Sequence, residues 1–154
     1  MKKINMIRLN VTITKCESCI NELDEFYNEI ISGKYEDNKI IKRSMELSFR
    51  SLFNSFQSIV EDYVAIVLKT LSIDVSRLYF RQCLDLCVEN NFISKKFLDG
   101  FKPSIKLRND IAHGYDIPST EILLDYYKNN NEVYSEFLNN INDFKNSLNS
   151  NDIF

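Results

Sequence analysis

The apolar residues between positions 39 and 71 recur at gaps of three or four, and this periodicity is the strongest constraint on the fold. The stripe consists of Ile41, Met45, Phe49, Leu52, Phe56, Ile59, Tyr63, Val67 and Leu71. Such spacing puts every member on one side of an α-helix, whereas a half-buried strand needs alternation. Phe53, Val60 and Val64 widen the apolar face, which predicts a long helix buried on more than one side.

A similar stripe predicts a helix before this one. Its members are Ile4, Ile7, Val11, Cys19, Leu23, Phe26 and Ile30, and Gly33 supplies a stop. The β-branched run at positions 11–14 weakens the helical pattern locally, because such residues are poorer helix formers.

Capping and breaking residues predict the helices that follow. Ser76 is expected to cap a third helix that runs to about residue 90, and Ser94 a fourth that ends near Gly114. We expect Gly100 and Pro103 to interrupt that fourth helix, since proline removes a backbone hydrogen bond. Helical spacing resumes after the turn at 118–119 and continues almost to the C-terminus, with a break at the asparagines of 129–131.

Scarce turn residues support the same fold class. The chain holds only three glycines and two prolines among 154 residues, fewer than a β-rich domain of this size needs. We therefore predict an all-α, antiparallel bundle of about five helices that forms a single domain over residues 1–154.

The composition predicts a soluble globule. The chain is 44% hydrophobic and 27% charged, and no apolar run approaches the roughly 18 to 20 residues that span a bilayer. The N-terminal stretch is positively charged but has no continuous apolar core, so we expect a cytoplasmic protein without a secretory signal or a membrane contact.

Charge is distributed unevenly along the chain. Residues 1–108 carry 17 basic and 14 acidic side chains (+3), residues 109–154 carry 2 and 8 (−6), and the total is −3. An acidic total argues against a protein coated with basic surface for nucleic acid. Positive charge is concentrated at Lys95, Lys96, Lys102, Lys106 and Arg108.

Four cysteines raise the question of a metal site. Cys16 and Cys19 form a CxxC, and Cys83 and Cys87 lie four apart, so four thiolates for zinc are conceivable. Both pairs fall within predicted helices rather than tight knuckles, which favours core packing, and we expect neither a metal nor a cofactor. The adjacent acidic pairs at 24–25 and 61–62 are expected on solvated helix faces.

The stretch RNDIAHGY holds the residues most suited to chemistry. Its His113 is the only histidine of the chain, and Arg108 stands five residues earlier. A histidine suits proton transfer near neutral pH, and the planar fork of arginine suits a phosphate oxyanion. The structural alternative is an ion pair of Arg108 with Asp110 or Asp116, with His113 merely ending a helix.

The stretch from Leu107 to Tyr115 resembles the R-x4-H-x-Y signature of HepT proteins, the toxins of the HEPN superfamily. Asn109 directly after the arginine and the apolar pair before His113 match that pattern. The long second helix, the phrase at 89–94 and the turn at 116–120 also match the layout of the family, so the likeness covers nearly the whole chain.

The resemblance implies a HEPN-like bundle that acts as a homodimer and cleaves RNA without a metal. It implies that Arg108 and His113 are catalytic and that Asn109 supports them. RNA would then depend on the local basic patch at 95–108, and we expect Lys102 and Lys106 to bind it. It further implies that a nucleotidyltransferase antitoxin of the MntA type inhibits the toxin by transferring AMP to Tyr115. The alternative is a non-catalytic HEPN subunit that binds a nucleotide or a nucleotidyltransferase partner.

Overall fold

A computed structural model describes residues 2–114 and 116–153. Over these residues the fold consists of six α-helices and one short 3₁₀ helix: α1 (Met6–Ile31), α2 (Lys39–Lys69), the 3₁₀ helix (Val75–Arg77), α3 (Phe80–Glu89), α4 (Lys95–His113), α5 (Thr120–Asn130) and α6 (Glu132–Ser147). The described part of the chain contains one isolated β-bridge, between Ile4 and Ile153. The all-α prediction is therefore confirmed. No helix in this part of the chain is long and apolar enough to cross a membrane.

The two long helices, α1 and α2, form the most extensive helix pair of the bundle. Each begins at an asparagine whose side-chain oxygen accepts a backbone hydrogen bond three residues later, at 3.1 Å in both cases: Asn5 from Arg8 and Asn38 from Ile41. These caps satisfy amide groups that have no partner inside the helix. The observed bounds of α2 agree with the span predicted from its apolar stripe.

The predicted inward face of α1 is wrong in its first turns. Ile7 and Val11 are 78% and 49% exposed, whereas Leu9, Ile13 and Cys16 are buried. Both the set that contains Ile7 and Val11 and the set that contains Leu9, Ile13 and Cys16 satisfy helical spacing. Packing against α2 buries the second set. Short-range periodicity alone does not distinguish such sets.

Ser76 does not cap the third helix. It lies in the 3₁₀ helix, where its backbone N–H donates to Asp74 Oδ1 at 3.0 Å and its hydroxyl donates to the same oxygen at 2.6 Å. Leu78 is extended and separates this turn from α3. The α3 helix begins after Tyr79, whose N–H donates to Gln82 Oε1 at 2.9 Å.

The α4 helix runs without interruption through Pro103, contrary to the predicted break. Proline costs one backbone hydrogen bond, but the buried Phe97, Phe101 and Ile105 hold the helix against the core on both sides of it. At its start, Ser94 Oγ accepts the Phe97 N–H at 3.1 Å, which confirms the predicted cap.

Gly100 allows α4 and α6 to approach closely. A methyl group built at its Cα would collide with Cγ2 of Val133 in α6. The Gly100 carbonyl also accepts a 2.7 Å hydrogen bond from the Tyr126 hydroxyl. The glycine therefore serves helix packing and does not end a helix.

An aromatic cluster joins α2, α4 and α6 at the centre of the bundle. The ring of Phe56 makes edge contacts with Phe101, Phe137 and Tyr134, at centroid distances of 6.0, 5.6 and 4.5 Å. Phe97 stacks on both Phe101 and Phe137 at 4.9 Å. Edge and stacked contacts of this kind add to the stabilisation from apolar burial, so the cluster fixes where α4 lies.

Gly100→Ala should lower the free energy of unfolding by about 1–2 kcal/mol, because overpacking outweighs the better helix propensity of alanine. Urea denaturation measures this change. In a Val133→Ala background the obstructing methyl groups are gone, so the same substitution should become neutral or stabilising. A loss of equal size in both backgrounds would show that contact with Val133 is not the cause.

Candidate functional site

The candidate site lies at the C-terminal end of α4. Arg108, Asn109 and His113 all belong to this helix, and Gly114 ends it in the left-handed conformation at φ 69°. A side chain at that φ is strained, so glycine suits the position. The stretch that the sequence singled out is therefore a helix end followed by a turn.

The helix extends through His113 and does not fray before it. Residues five apart differ by about 140° around a helix axis and by about 7.5 Å along it. Arg108 and His113 of one chain consequently share a helix end but not a helix face. This separation limits how closely one chain alone can bring the two groups together.

The burial pattern divides the motif into an anchored side and an accessible side. Leu107 and Ile111 are partly buried and contact the core, which holds this part of α4 in place. Arg108 is half-buried, while Asn109 and His113 are exposed. No side-chain hydrogen bond joins Asn109 to any described residue. The end of α4 thus presents polar groups to solvent from a fixed base.

Lys106, and not Arg108, pairs with the nearest carboxylate. Lys106 Nζ lies 2.8 Å from Asp110 Oδ2 one turn later. That hydrogen bond raises the pKa of Lys106, and the charges of Asp110 and Asp116 add to the effect. Within the described residues, Arg108 forms no ion pair with either aspartate, so the ion-pair alternative does not account for it.

The basic segment at 95–108 is only partly available to a ligand. Lys95 pairs with Asp99 at 3.5 Å, and Lys106 is paired as described above. Lys102 is half-buried and has no carboxylate partner among the described residues. Since the C-terminus of a helix carries partial negative charge, a phosphate at this end depends on side-chain cations. Among the described residues, Lys102 and Arg108 are the predicted site cations for which no carboxylate partner is present.

A contact from α2 holds the turn that follows the motif. Nη2 of Arg50 donates to the Pro118 carbonyl at 3.0 Å, across 68 residues of sequence. Pro118 is buried, and Ser119 caps α5 by accepting from the Ile122 N–H. Tyr115, the predicted modification site, lies outside the described residues. Arg50 was not predicted from the sequence. The feature that could have indicated it is a cationic side chain directly after Phe49, a member of the apolar stripe of α2.

The four cysteines lie in helices α1 and α3, and all of them are free and buried. Burial raises the pKa of Cys16, Cys19 and Cys87 to about 12. Protonated thiols of this kind are poor nucleophiles and poor metal ligands. Across residues 2–114 and 116–153, no three His, Cys, Asp or Glu side chains are grouped as a metal ion would require.

In a comparison with protein-family models, the model described as Ribonuclease HepT-like matches residues 16–141. The chain belongs to the HepT-like family. The matched segment extends from α1 into α6 and contains the whole of α4. Comparisons with curated proteins and with solved structures find no match. Membership in this HepT-like family indicates a ribonuclease-type function.

The buried thiols of this HepT-like chain should resist alkylation. At pH 8 we expect iodoacetamide to label the native protein slowly and the urea-unfolded protein at all four cysteines, as counted by mass spectrometry. Rapid labelling of the native protein would contradict the burial of the cysteines.

The same burial makes stability depend on pH. Because the folded-state pKa of the Cys16 thiol lies above the ordinary thiol value of about 9, the unfolded state loses protons first as the pH rises. The contribution of the buried thiol to the free energy of unfolding is therefore complete below pH 9 and falls between pH 9 and 12.

Proposed function

We propose that this HepT-like chain is a metal-independent endoribonuclease toxin whose reaction uses Arg108 and His113. The observation that carries the proposal is the half-buried Arg108, unpaired with any described carboxylate, on the same helix end as the only histidine. An arginine held in place without a carboxylate partner is suited to bind an oxyanion.

The proposed reaction is attack of the ribose 2′-oxygen on the adjacent phosphorus. His113 takes the 2′-hydroxyl proton as the new P–O bond forms, and Arg108 stabilises the negative charge that develops on the phosphoryl oxygens. The bond to the 5′-oxygen then breaks, and that oxygen takes a proton from a general acid. The products are a 2′,3′-cyclic phosphate and a free 5′-hydroxyl.

A second copy of the chain supplies the general acid in this proposal. The reaction needs both a base and an acid, and each chain has one histidine. The angular separation of Arg108 and His113 within one helix also favours a dimer. When the α4 ends of two chains face each other, Arg108 of one chain can approach His113 of the other. A symmetric homodimer with both α4 ends at one cleft provides two histidines and two arginines.

Exposed apolar side chains near the candidate site fit such an interface. Leu47 in α2, Ile117 in the turn and Ile122 in the first turn of α5 are 47%, 55% and 49% exposed. The hydrogen bond from Arg50 to Pro118 brings α2 beside this turn. Leu47 lies one helical turn before Arg50, and Ile117 and Ile122 lie one and four residues from Pro118 in sequence, which supports one interface that includes all three. We propose that a second copy covers them, because it also completes the site.

Inhibition by a nucleotidyltransferase antitoxin of the MntA type is the second part of the proposal. AMP transferred to Tyr115 would add negative charge and bulk two residues beyond His113 in sequence. The added phosphate would compete with RNA for Arg108. Lys102 is the further RNA contact that we propose, and Lys106 contributes less because Asp110 neutralises it. Asn109 is the supporting residue of the pair.

His113→Ala should lower the rate of RNA cleavage by at least about 100-fold, which is the usual contribution of a general base. The assay uses purified protein with EDTA, and growth arrest on expression provides a second readout. Arg108→Ala should have a similar effect. Arg81→Ala, an exposed arginine on α3, is the matched control and should leave the rate unchanged.

Two results would overturn the nuclease proposal. Unchanged cleavage by His113→Ala would remove the base from the mechanism. A wild-type protein that binds a nucleotidyltransferase but does not cleave RNA would establish the alternative, a non-catalytic HEPN subunit.

Ile117→Glu and Leu47→Glu should convert a dimer into a monomer, because each places a charge in the proposed interface. Light scattering at micromolar concentration should give twice the chain mass of 18.1 kDa for the wild type and the single mass for both variants. Ile7→Glu, on an exposed face of α1, is the control and should remain dimeric. A monomeric wild type would refute the shared cleft.

A further inference from the structure

The C-terminal end of α4, which carries His113, is closed by a long cap hydrogen bond. Gly114 N–H donates to the Ile111 carbonyl at 3.4 Å, which is the cap bond at this end. Such a bond is longer than the 2.9–3.0 Å typical of N–H···O pairs. Ala112 and His113 are both exposed, so apolar packing of their side chains adds little.

The turn after this helix has few internal contacts either. Residues 116–118 form no helix or strand, and no backbone–backbone hydrogen bond of these residues is present in the described part of the chain. The long-range hydrogen bond of this segment is the one from Arg50 to the Pro118 carbonyl. A guanidinium donor makes a stronger bond than a neutral amide does.

The backbone that carries Arg50 is packed against the core. It lies in the middle of α2, and the preceding Phe49 is fully buried and contacts the rings of Tyr27 and Tyr127. The guanidinium has no carboxylate partner among the described residues, so its hydrogen-bonding capacity is directed to the turn. The contact therefore joins a helix that is packed into the core to a turn for which no backbone–backbone hydrogen bond is present among residues 116–118.

We propose that Arg50 is a positioning residue: through Pro118 it holds residues 116–119 and thereby the last turn of α4 in the geometry that the reaction needs. The catalytic consequence of this inference rests on the proposed function. The tether, which is the Arg50–Pro118 hydrogen bond and its hold on the end of α4, does not. Arg50 contacts neither RNA nor the reacting atoms in this proposal. Its removal should therefore affect the rate of the chemical step more than the binding of substrate.

The test uses Arg50→Met, which keeps the length and loses the donors, and Arg50→Lys, which keeps one cationic donor. In Arg50→Met, amide hydrogen exchange in peptides covering 109–114 and 119–124 should speed up by about tenfold, with α1 unchanged. In the RNA assay kcat should fall by a similar factor at nearly constant KM. Arg50→Lys should recover part of both losses.

Arg43→Met is the matched control, because Arg43 lies two turns earlier on α2, is exposed and, among the described residues, forms an ion pair with Glu46 alone, at 3.7 Å. It should change neither measurement. Unchanged exchange at the end of α4 in Arg50→Met would overturn the tether. A raised KM with normal kcat would overturn the positioning role in favour of direct RNA contact. If the wild type does not cleave RNA, the nuclease proposal fails while the exchange measurement still decides the tether.

Discussion

The candidate site depends on the packing of α4 into the aromatic cluster that it shares with α2 and α6. Phe97 and Phe101 of α4 stack with each other, and Phe97 also stacks on Phe137 of α6. These contacts lie just before Pro103, where the helix loses a backbone hydrogen bond. Because the cluster holds the helix there, α4 remains one continuous helix from Lys95 to His113. A broken helix would leave the orientation of Arg108 undefined.

Among the described residues, the cations of α4 differ in whether a carboxylate neutralises them. Lys95 and Lys106 pair with aspartates one turn away, whereas Lys102 and Arg108 do not. The helix terminus itself repels anions through its partial negative charge. The attraction for a phosphate therefore depends on the cations at this end that have no carboxylate partner, rather than on a broad basic surface. This arrangement is compatible with the acidic net charge of −3.

The elements predicted correctly are those governed by interactions within one or two helical turns. The stripe of α2 predicted its bounds, and Ser94 and the break at 118–119 predicted the starts of α4 and α5. The failures have a common cause, since each local pattern allowed two outcomes. Packing against α2 selected the inward face of α1, and the Ser76 hydroxyl donates a hydrogen bond to Asp74 instead of capping α3.

Helical periodicity and residue chemistry are local properties, so the all-α class, the long α2 helix and an arginine and a histidine five residues apart could be predicted without a structure. The fold was needed to show that α4 is continuous, that Gly100 faces Val133, and that Arg50 reaches Pro118. These features join residues that lie tens of positions apart in sequence. Their energies arise from close packing and from satisfying polar groups at helix crossings, where a short window of sequence contains only one of the two partners.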